Sequence, residues 1–212
     1  MSTFFNQICY NIYKTIEGYN LSIIVIVKKD KEIVIASDSL TSRGTLNISS
    51  QYKINNEKFI KYQNSWIGCD DYAMPTQMLL YALKNREDEL SFDGIDNIYT
   101  SMLKLHKTLK KKYFLNPKQK ENQIVQSTKM RLVIANSSGI YRVDEDKHID
   151  NFSKFWAIGT GGTFALGAMH HVYDKYDATK IAKIGVKTAC EFDEGCGLPI
   201  HIQTIKEKIC QS

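Results

Sequence analysis

The chain has 212 residues, of which 43% are apolar and only 3 are proline, so it can bury a core and is not a disordered protein. Its net charge of +5 is modest, and no recognisable nucleic-acid-binding module accompanies the lysines, which argues against a nucleic-acid partner. No apolar run approaches the roughly 20 residues that span a bilayer, and the 5 cysteines lack the spacings of a disulfide framework or a zinc site.

The first segment carries apolar residues at helical spacing. Phe5, Ile8, Ile12 and Ile16 lie three or four positions apart, which predicts a short amphipathic helix. The segment has no basic start followed by a continuous apolar stretch, so it does not resemble a secretory signal. We therefore expect a cytoplasmic protein with no membrane partner.

Three pairs of apolar runs, each pair separated by a polar turn, predict β-hairpins. The first pair shows no clean alternation of apolar and polar residues, as expected for strands in a sheet that is covered on both faces. The region after it, Thr41–Ser50, is polar and turn-like. The predicted pairs are Leu21–Val27 with Ile33–Ala36, Lys58–Tyr62 with Ser65–Gly68, and Arg131–Ala135 with Ile140–Val143.

Four further segments show the periodicity of amphipathic helices. They are Asp71–Lys84, Ile95–Leu109, a segment opened by Gly159–Gly162, and Ala178–Phe192. A strand at Phe155–Ile158 precedes the third helix, and a strand at Pro199–Ile205 closes the chain. Two strand-rich blocks, each followed by a helix pair, fit a sheet-on-sheet core covered by helices, which the pattern alone describes as α/β or α+β.

Residues that are able to carry chemistry stand near the ends of the predicted strands. Ser22 opens the first strand, Asp38 ends its partner, and Gly68 ends a later strand. Lys53, the GTGG turn at residues 159–162 and the string DEGCG at residues 193–197 complete the series. Taken alone, the serine is an ordinary strand-edge residue, the aspartate a turn former and the lysine one of many on the surface.

Two other kinds of site fit the sequence poorly. The GTGG turn does not satisfy GxGxxG, because Phe164 stands where the third glycine belongs, and no GK[ST] follows it. His170 and His171 lie near Asp174, but adjacent histidines point to different faces of a helix, so a structural role is favoured over a metal site. We therefore expect neither a nucleotide cofactor nor a metal centre.

The series, in this order and spacing, resembles the proteasome β-subunit family, which includes the bacterial HslV peptidase. The resemblance runs from about Ser22 to Ile205 and rests mainly on SIIVIVKKDKEIVIASD, FWAIGTGGTFALGA and CGLPIHIQTI. It implies an α+β fold, the four-layer αββα sandwich of N-terminal nucleophile (Ntn) hydrolases. It also implies a single domain over residues 22–212, with residues 1–21 as an N-terminal extension or propeptide.

The mechanism of that family carries over to particular residues of this chain. Ser22 matches the N-terminal threonine nucleophile, whose free α-amino group acts as general base because its pKa lies near neutral pH. Asp38 and Lys53 match the carboxylate and the lysine beside the nucleophile. Gly68 matches the glycine whose N–H helps to form the oxyanion hole.

Three more residues match the network around the α-amino group. Thr160 stands in place of a serine that orders this group, while Asp193 and Cys196 match an aspartate and a second serine. The resemblance therefore implies a threonine-peptidase-family hydrolase, here with serine, that cuts peptide bonds once residues 1–21 are removed. The chain departs from the family in having Leu21 before the nucleophile, where processed members usually have glycine.

Two alternatives stay open, a catalytically inactive relative that serves as an assembly or binding module and an Ntn amidohydrolase acting on a small amide. As partners, the resemblance implies other copies in a ring-shaped homo-oligomer, a peptide or unfolded-protein substrate and an ATP-dependent unfoldase. It implies no cofactor except a monovalent cation near Asp193–Pro199, bound by backbone carbonyls.

Overall fold

The structure is a computed structural model that describes residues 22–43, 46–54, 56–70, 73–85, 89–116 and 124–207. The predicted N-terminal helix and the predicted extension, residues 1–21, lie outside this part of the chain. None of the described helices is both long enough and apolar enough to cross a membrane.

The described chain contains eleven β-strands and four α-helices. The strands are β1 (Ile24–Lys29), β2 (Glu32–Ser37), β3 (Thr41–Arg43), β4 (Leu46–Ile48), β5 (Phe59–Tyr62), β6 (Ser65–Cys69), β7 (Leu132–Asn136), β8 (Gly139–Val143), β9 (Ile149–Phe152), β10 (Phe155–Ile158) and β11 (His201–Lys206). The helices are α1 (Ala73–Lys84), α2 (Ile95–Lys112), α3 (Gly162–Val172) and α4 (Ala178–Phe192). The three predicted hairpins, the four predicted helices and the closing strand are confirmed, with small shifts at their ends.

The first hairpin is closed by a two-residue turn whose conformation matches the twist of its strands. Asp30 and Lys31 both have positive φ angles, 50° and 66°, as in the type I′ turns that suit short hairpins. The strands pair in antiparallel register, with Lys29 opposite Glu32 beside the turn. The register therefore brings the start of β1 beside the end of β2.

Two sheets face each other, and each carries a helix pair on its outer side. Their strand orders are β10-β1-β2-β11 and β5-β6-β7-β8-β9. One apolar cluster, which includes Ile24, Ile35 and Val133, fills the space between the sheets. A second joins the four-stranded sheet to α3 and α4, and a third joins the five-stranded sheet to α1 and α2. The layers are helix, sheet, sheet, helix, which confirms the predicted α+β, four-layer αββα sandwich.

The pairing of β1 with two neighbours gathers three chain segments at one end of the four-stranded sheet. Ile24, at the start of β1, lies opposite the last residue of β2 and the last residue of β10. Ser22 precedes β1, Asp38 follows β2, and Gly159–Gly162 follow β10. The fold therefore brings these three sequence-predicted segments together.

Two structural features were not predicted from the sequence. The polar segment Thr41–Ser50 contains the paired strands β3 and β4, and a 3-10 turn follows at Ser50–Tyr52. Strand β9 is only half-buried and has no apolar run, because it lies at the edge of its sheet. In both places backbone pairing, rather than burial of an apolar face, sets the conformation.

Candidate functional site

The turn of residues 159–162 holds the backbone of Ser22 from two sides. The Ser22 N–H donates to the Thr160 hydroxyl at 3.3 Å, and the Gly161 N–H donates to the Ser22 carbonyl oxygen at 3.3 Å. Gly159 has a φ of 102°, and a Cβ there would lie 2.2 Å from the Ser22 carbonyl oxygen, so only glycine fits. The structure thus brings Thr160 and the Ser22 nitrogen together.

The hydroxyl of Ser22 is buried without a hydrogen-bond partner among the described residues. The residue is only 5% exposed. Buried polar atoms are nearly always hydrogen-bonded, and leaving one without a partner costs about 1–3 kcal/mol. The Ser22 oxygen is thus buried at a cost in stability, and it makes no hydrogen bond to a described residue. Such an oxygen is suited to attack an electrophile.

Asp38 is fully buried and accepts four hydrogen bonds. Its Oδ1 accepts from the Ile23 N–H at 3.1 Å and from the Lys58 ammonium at 2.5 Å. Its Oδ2 accepts from the Leu40 N–H at 3.1 Å and from the Gly197 N–H at 3.0 Å. Four donors compensate the desolvation of a buried carboxylate. They also tie the segment after Ser22 to the segment around residue 197.

The lysine that pairs with Asp38 is Lys58, which corrects the sequence assignment of Lys53. The Lys58 side chain is 14% exposed in this ion pair. The Lys53 ammonium instead donates to the Thr41 hydroxyl at 2.8 Å. The physical reason is that β3, β4 and the 3-10 turn use more chain than a simple loop would, so the lysine that reaches Asp38 comes later in the sequence.

Gly68 lies inside β6, between two neighbouring strands. Its partners are Phe59 on β5 and Val133 on β7, so its backbone belongs to the sheet. A Cβ here would meet side-chain atoms of Ile24 and Val133 at 3.1 Å, so close contact between the sheets explains the glycine. The predicted role as an oxyanion donor does not fit this position, because N–H groups inside a sheet bond to adjacent strands.

The segment that follows α4 is held by its own turn and packs behind the GTGG turn. The Asp193 carboxylate accepts from the Gly195 N–H at 2.8 Å, and the Cys196 N–H donates to the Asp193 carbonyl oxygen at 3.0 Å. A Cβ on Gly161 would lie 2.8 Å from the Cys196 sulfur. Cys196 therefore supports the turn that holds Ser22, while the Asp193 side chain stabilises the segment itself.

Two cysteines near Asp38 are protonated thiols rather than thiolates at neutral pH. Burial, reinforced by the Asp38 charge, raises the pKa of Cys190 to about 11. The same two causes, in the same order, raise the pKa of Cys196 further. Because the thiolate is the nucleophilic form of cysteine, neither residue is suited to act as a nucleophile at neutral pH.

The segment predicted to bind a monovalent cation uses several of its carbonyl groups elsewhere. The Gly197 and Pro199 carbonyl oxygens accept from the Ser39 N–H and hydroxyl, and the Glu194 carbonyl oxygen accepts from the Asn47 side chain. No chemical step of the site is assigned to such a cation. Within the described part of the chain, no group of three or more His, Cys, Asp or Glu residues is placed to hold a metal ion.

Sequence patterns missed two residues of this site. Ser39 is buried and holds the segment 197–199 with its amide and its hydroxyl, but no motif marks it. Lys58 does carry a signal, since it directly precedes the apolar run of β5. Counting from that strand, rather than through the polar loop, would have found it.

No family model matches the sequence, and no curated protein matches it. Solved structures do match. Two structures of Thiobacillus denitrificans BPH, one in complex with epoxomicin, are 32% identical with a TM-score of 0.81, and the alignments cover 88% of this chain and 100% or 98% of those chains. HslV from Trypanosoma brucei is 20% identical with a TM-score of 0.66, over 87% of this chain and 99% of that one.

Proposed function

This chain belongs to the proteasome β-subunit and HslV family of Ntn hydrolases, and from that premise we propose that it hydrolyses peptide bonds with Ser22 as its N-terminal nucleophile. The observation that supports the proposal is the pattern of hydrogen bonds around Ser22. Its backbone is hydrogen-bonded on both sides by the GTGG turn, while its buried hydroxyl has no partner among the described residues. The active form requires hydrolysis of the Leu21–Ser22 bond, which removes residues 1–21.

Removal of these residues converts the Ser22 amide nitrogen into an α-amino group. A free α-amino group has a pKa of about 7.7–8.0, so a substantial fraction is an unprotonated base near neutral pH. The nitrogen already lies 3.3 Å from the Thr160 hydroxyl. That hydroxyl then keeps the lone pair of the amine directed towards Ser22 Oγ.

The proposed reaction has two steps, formation of an ester to Ser22 and hydrolysis of that ester, and the α-amino group gives back in each step the proton that it takes. The Ser22 hydroxyl gives its proton to the α-amino group as Oγ bonds to the substrate carbonyl carbon. The C–N bond then breaks, the leaving amine takes this proton, and an ester to Ser22 remains. Water adds to the ester while the α-amino group accepts a proton, which returns to Oγ as the acid product leaves.

Lys58 supplies positive charge beside the nucleophile. Asp38 Oδ1 accepts both from its ammonium and from the N–H of Ile23, the residue after Ser22. A fixed cation at this place lowers the proton affinity of neighbouring groups and favours the anionic form of the hydroxyl. In the proposed mechanism Asp38 positions Lys58 and does not exchange protons.

Hydrolysis of a mixture of fluorogenic peptides, with wild type beside Ser22→Ala, tests this function. We expect turnover by wild type that Ser22→Ala lacks, and we expect epoxomicin, which the Thiobacillus BPH binds, to inhibit it. Ser22→Thr is the matched control, because it keeps the hydroxyl. Peptide hydrolysis that persists in Ser22→Ala would exclude Ser22 as the nucleophile, and a folded wild type that cleaves no peptide would favour the inactive assembly module.

The proposal also includes the assembly and the substrate. The family membership supports a ring-shaped homo-oligomer with its sites facing an inner chamber, an unfolded protein or peptide as substrate, and an ATP-dependent unfoldase as feeder.

A further inference from the structure

Helix α2 exposes a ridge of five residues that the fold does not use. Ile95, Tyr99, Leu103, Lys107 and Lys111 follow one another at intervals of four, so their side chains are neighbours along the helix surface. The three apolar members are 46%, 49% and 45% exposed. The helix already packs on the core with another face, formed by Ile98, Met102, Leu105 and Leu109.

The lysine end of this ridge borders a basic cavity. The cavity has a volume of about 250 Å³ and is lined by Glu89, Lys104, Lys107, Thr108, Lys111 and Lys112. No ion pair joins Lys107 or Lys111 to any other residue that the structure describes. The lining of this cavity therefore carries a net positive charge, since four lysines stand against the single carboxylate of Glu89.

The apolar end of the ridge borders a second cavity. Ile95 and Tyr99 line it together with Lys147, His148 and one carboxylate, that of Asp146. Lys147 is only 8% exposed, and its ammonium donates to the Gln126 carbonyl oxygen. An apolar strip thus lies between a basic cavity and a second cavity that is lined by Asp146, Lys147 and His148.

We propose that the ridge of α2 binds a segment of another protein in which apolar residues are followed by carboxylates. Tyr99 and Leu103 would contact the apolar residues, and Lys107 and Lys111 would pair with the carboxylates. The same ridge of a second copy is a poor occupant, because its own lysines would repel Lys107 and Lys111. This interaction is independent of the proposed chemistry at Ser22, since no residue of the ridge takes part in that site.

A labelled helical peptide with leucines at intervals of four residues, followed by glutamates, is the probe that tests this surface. We expect full-length wild type to bind it, measured by fluorescence anisotropy, and we expect the affinity to fall as salt is added. The same peptide with lysines in place of the glutamates controls for apolar contact alone and is expected to bind weakly. Equal binding of the two peptides would overturn the proposal.

Two double variants with the same spacing locate the site. Lys107→Glu with Lys111→Glu reverses the charge of the ridge and is expected to weaken binding about tenfold or more. Lys183→Glu with Lys187→Glu makes the same change of charge on exposed positions of α4 and is expected to leave binding close to wild type. An equal loss in both variants would show that net charge, and not the ridge, attracts the peptide.

The apolar part is tested by Tyr99→Ser with Leu103→Ser. These side chains are half-exposed, so the variant is expected to fold with an unchanged circular dichroism spectrum and to lose peptide binding. Sedimentation velocity then separates the two occupants of the surface. If the variant keeps its affinity for the peptide but changes oligomeric state, the ridge is a contact between copies and the proposal is wrong.

Discussion

At the scale of single residues, Ser22 is fixed through its backbone, while its side chain makes no hydrogen bond to a described residue. Thr160 and Gly161 hold its amide and carbonyl, and Asp38 holds the amide of the following residue. The positions of Ser22, Asp38 and Thr160 beside the ends of recognisable strands could be read from the sequence, while their roles were implied only by the family resemblance. Ser39 could not be found in this way, because only a contact between distant segments of the chain places it. Lys58 directly precedes β5 but follows a polar segment of unpredictable length, so only a count from that strand identifies it.

Replacement of Lys58 separates its role from that of Lys53. Lys58→Met removes the cation that pairs with Asp38 near Ser22, and under the proposed mechanism we expect kcat/KM to fall by about 10²-fold or more. Breaking a buried pair also costs about 3–5 kcal/mol in the free energy of unfolding, so a thermal melt accompanies the assay. Lys53→Met, with its hydrogen bond to Thr41, is the matched control and is expected to keep most of the activity. A larger loss in the Lys53 variant would restore the original assignment.

The raised pKa of Cys190 predicts how its reactivity depends on pH. Burial and the Asp38 charge raise this pKa from 9.0 to about 11. In the folded protein we therefore expect alkylation by iodoacetamide, followed by mass spectrometry, to increase up to about pH 11. In urea the pH at the midpoint of this increase in alkylation is expected to return to that of an ordinary thiol.

The same shift makes the free energy of unfolding depend on pH. The unfolded chain loses the thiol proton at a lower pH than the folded chain does. The contribution of Cys190 to stability is therefore complete below about pH 9 and is lost towards pH 11. An ordinary midpoint in the folded protein would contradict the burial described for this thiol.

At the scale of elements, the turn between β10 and α3 determines where Ser22 lies. The sequence predicted a glycine-rich strand-to-helix turn, and periodicity located the strands and helices around it. Its contact with Ser22 was implied only by the family resemblance and not by periodicity, because antiparallel pairing of β1 with β10 joins segments far apart in the chain. Strands β3 and β4 were not predicted either, because they are short and polar and their sequences show no apolar periodicity.

Gly159→Ala tests the turn. Its φ of 102° and the closeness of the Ser22 carbonyl oxygen make a side chain unfavourable, so we expect the free energy of unfolding to fall by at least about 1–3 kcal/mol and peptide hydrolysis to be lost. Gly167→Ala is the control within α3, since nothing lies within 4 Å of its added Cβ. That change is expected to stabilise the helix by about 0.5–1 kcal/mol. Equal effects of the two substitutions in urea denaturation would show that the turn is not strained.

At the scale of the whole molecule, the four layers leave Ser22 at one end of the four-stranded sheet and the ridge of α2 on an outer helical layer. In the proposed ring, Ser22 faces an inner chamber where the chemistry takes place, and the ridge of α2 lies outside, where it binds a partner. Sedimentation velocity is expected to show one species whose mass is a multiple of the protomer mass, which is 24.3 kDa for the full-length chain and less once residues 1–21 are removed. A monomer that hydrolyses peptides would separate the activity from assembly and contradict the ring.

The most direct test of the central claim is the intact mass of the purified protein, measured for wild type and Ser22→Ala in parallel. The account predicts that wild type loses Met1–Leu21, so that its chain begins at Ser22, and that Ser22→Ala keeps the full-length mass. If wild type also retains Met1–Leu21 while it hydrolyses peptides, Ser22 is not an N-terminal nucleophile and the proposed mechanism is wrong.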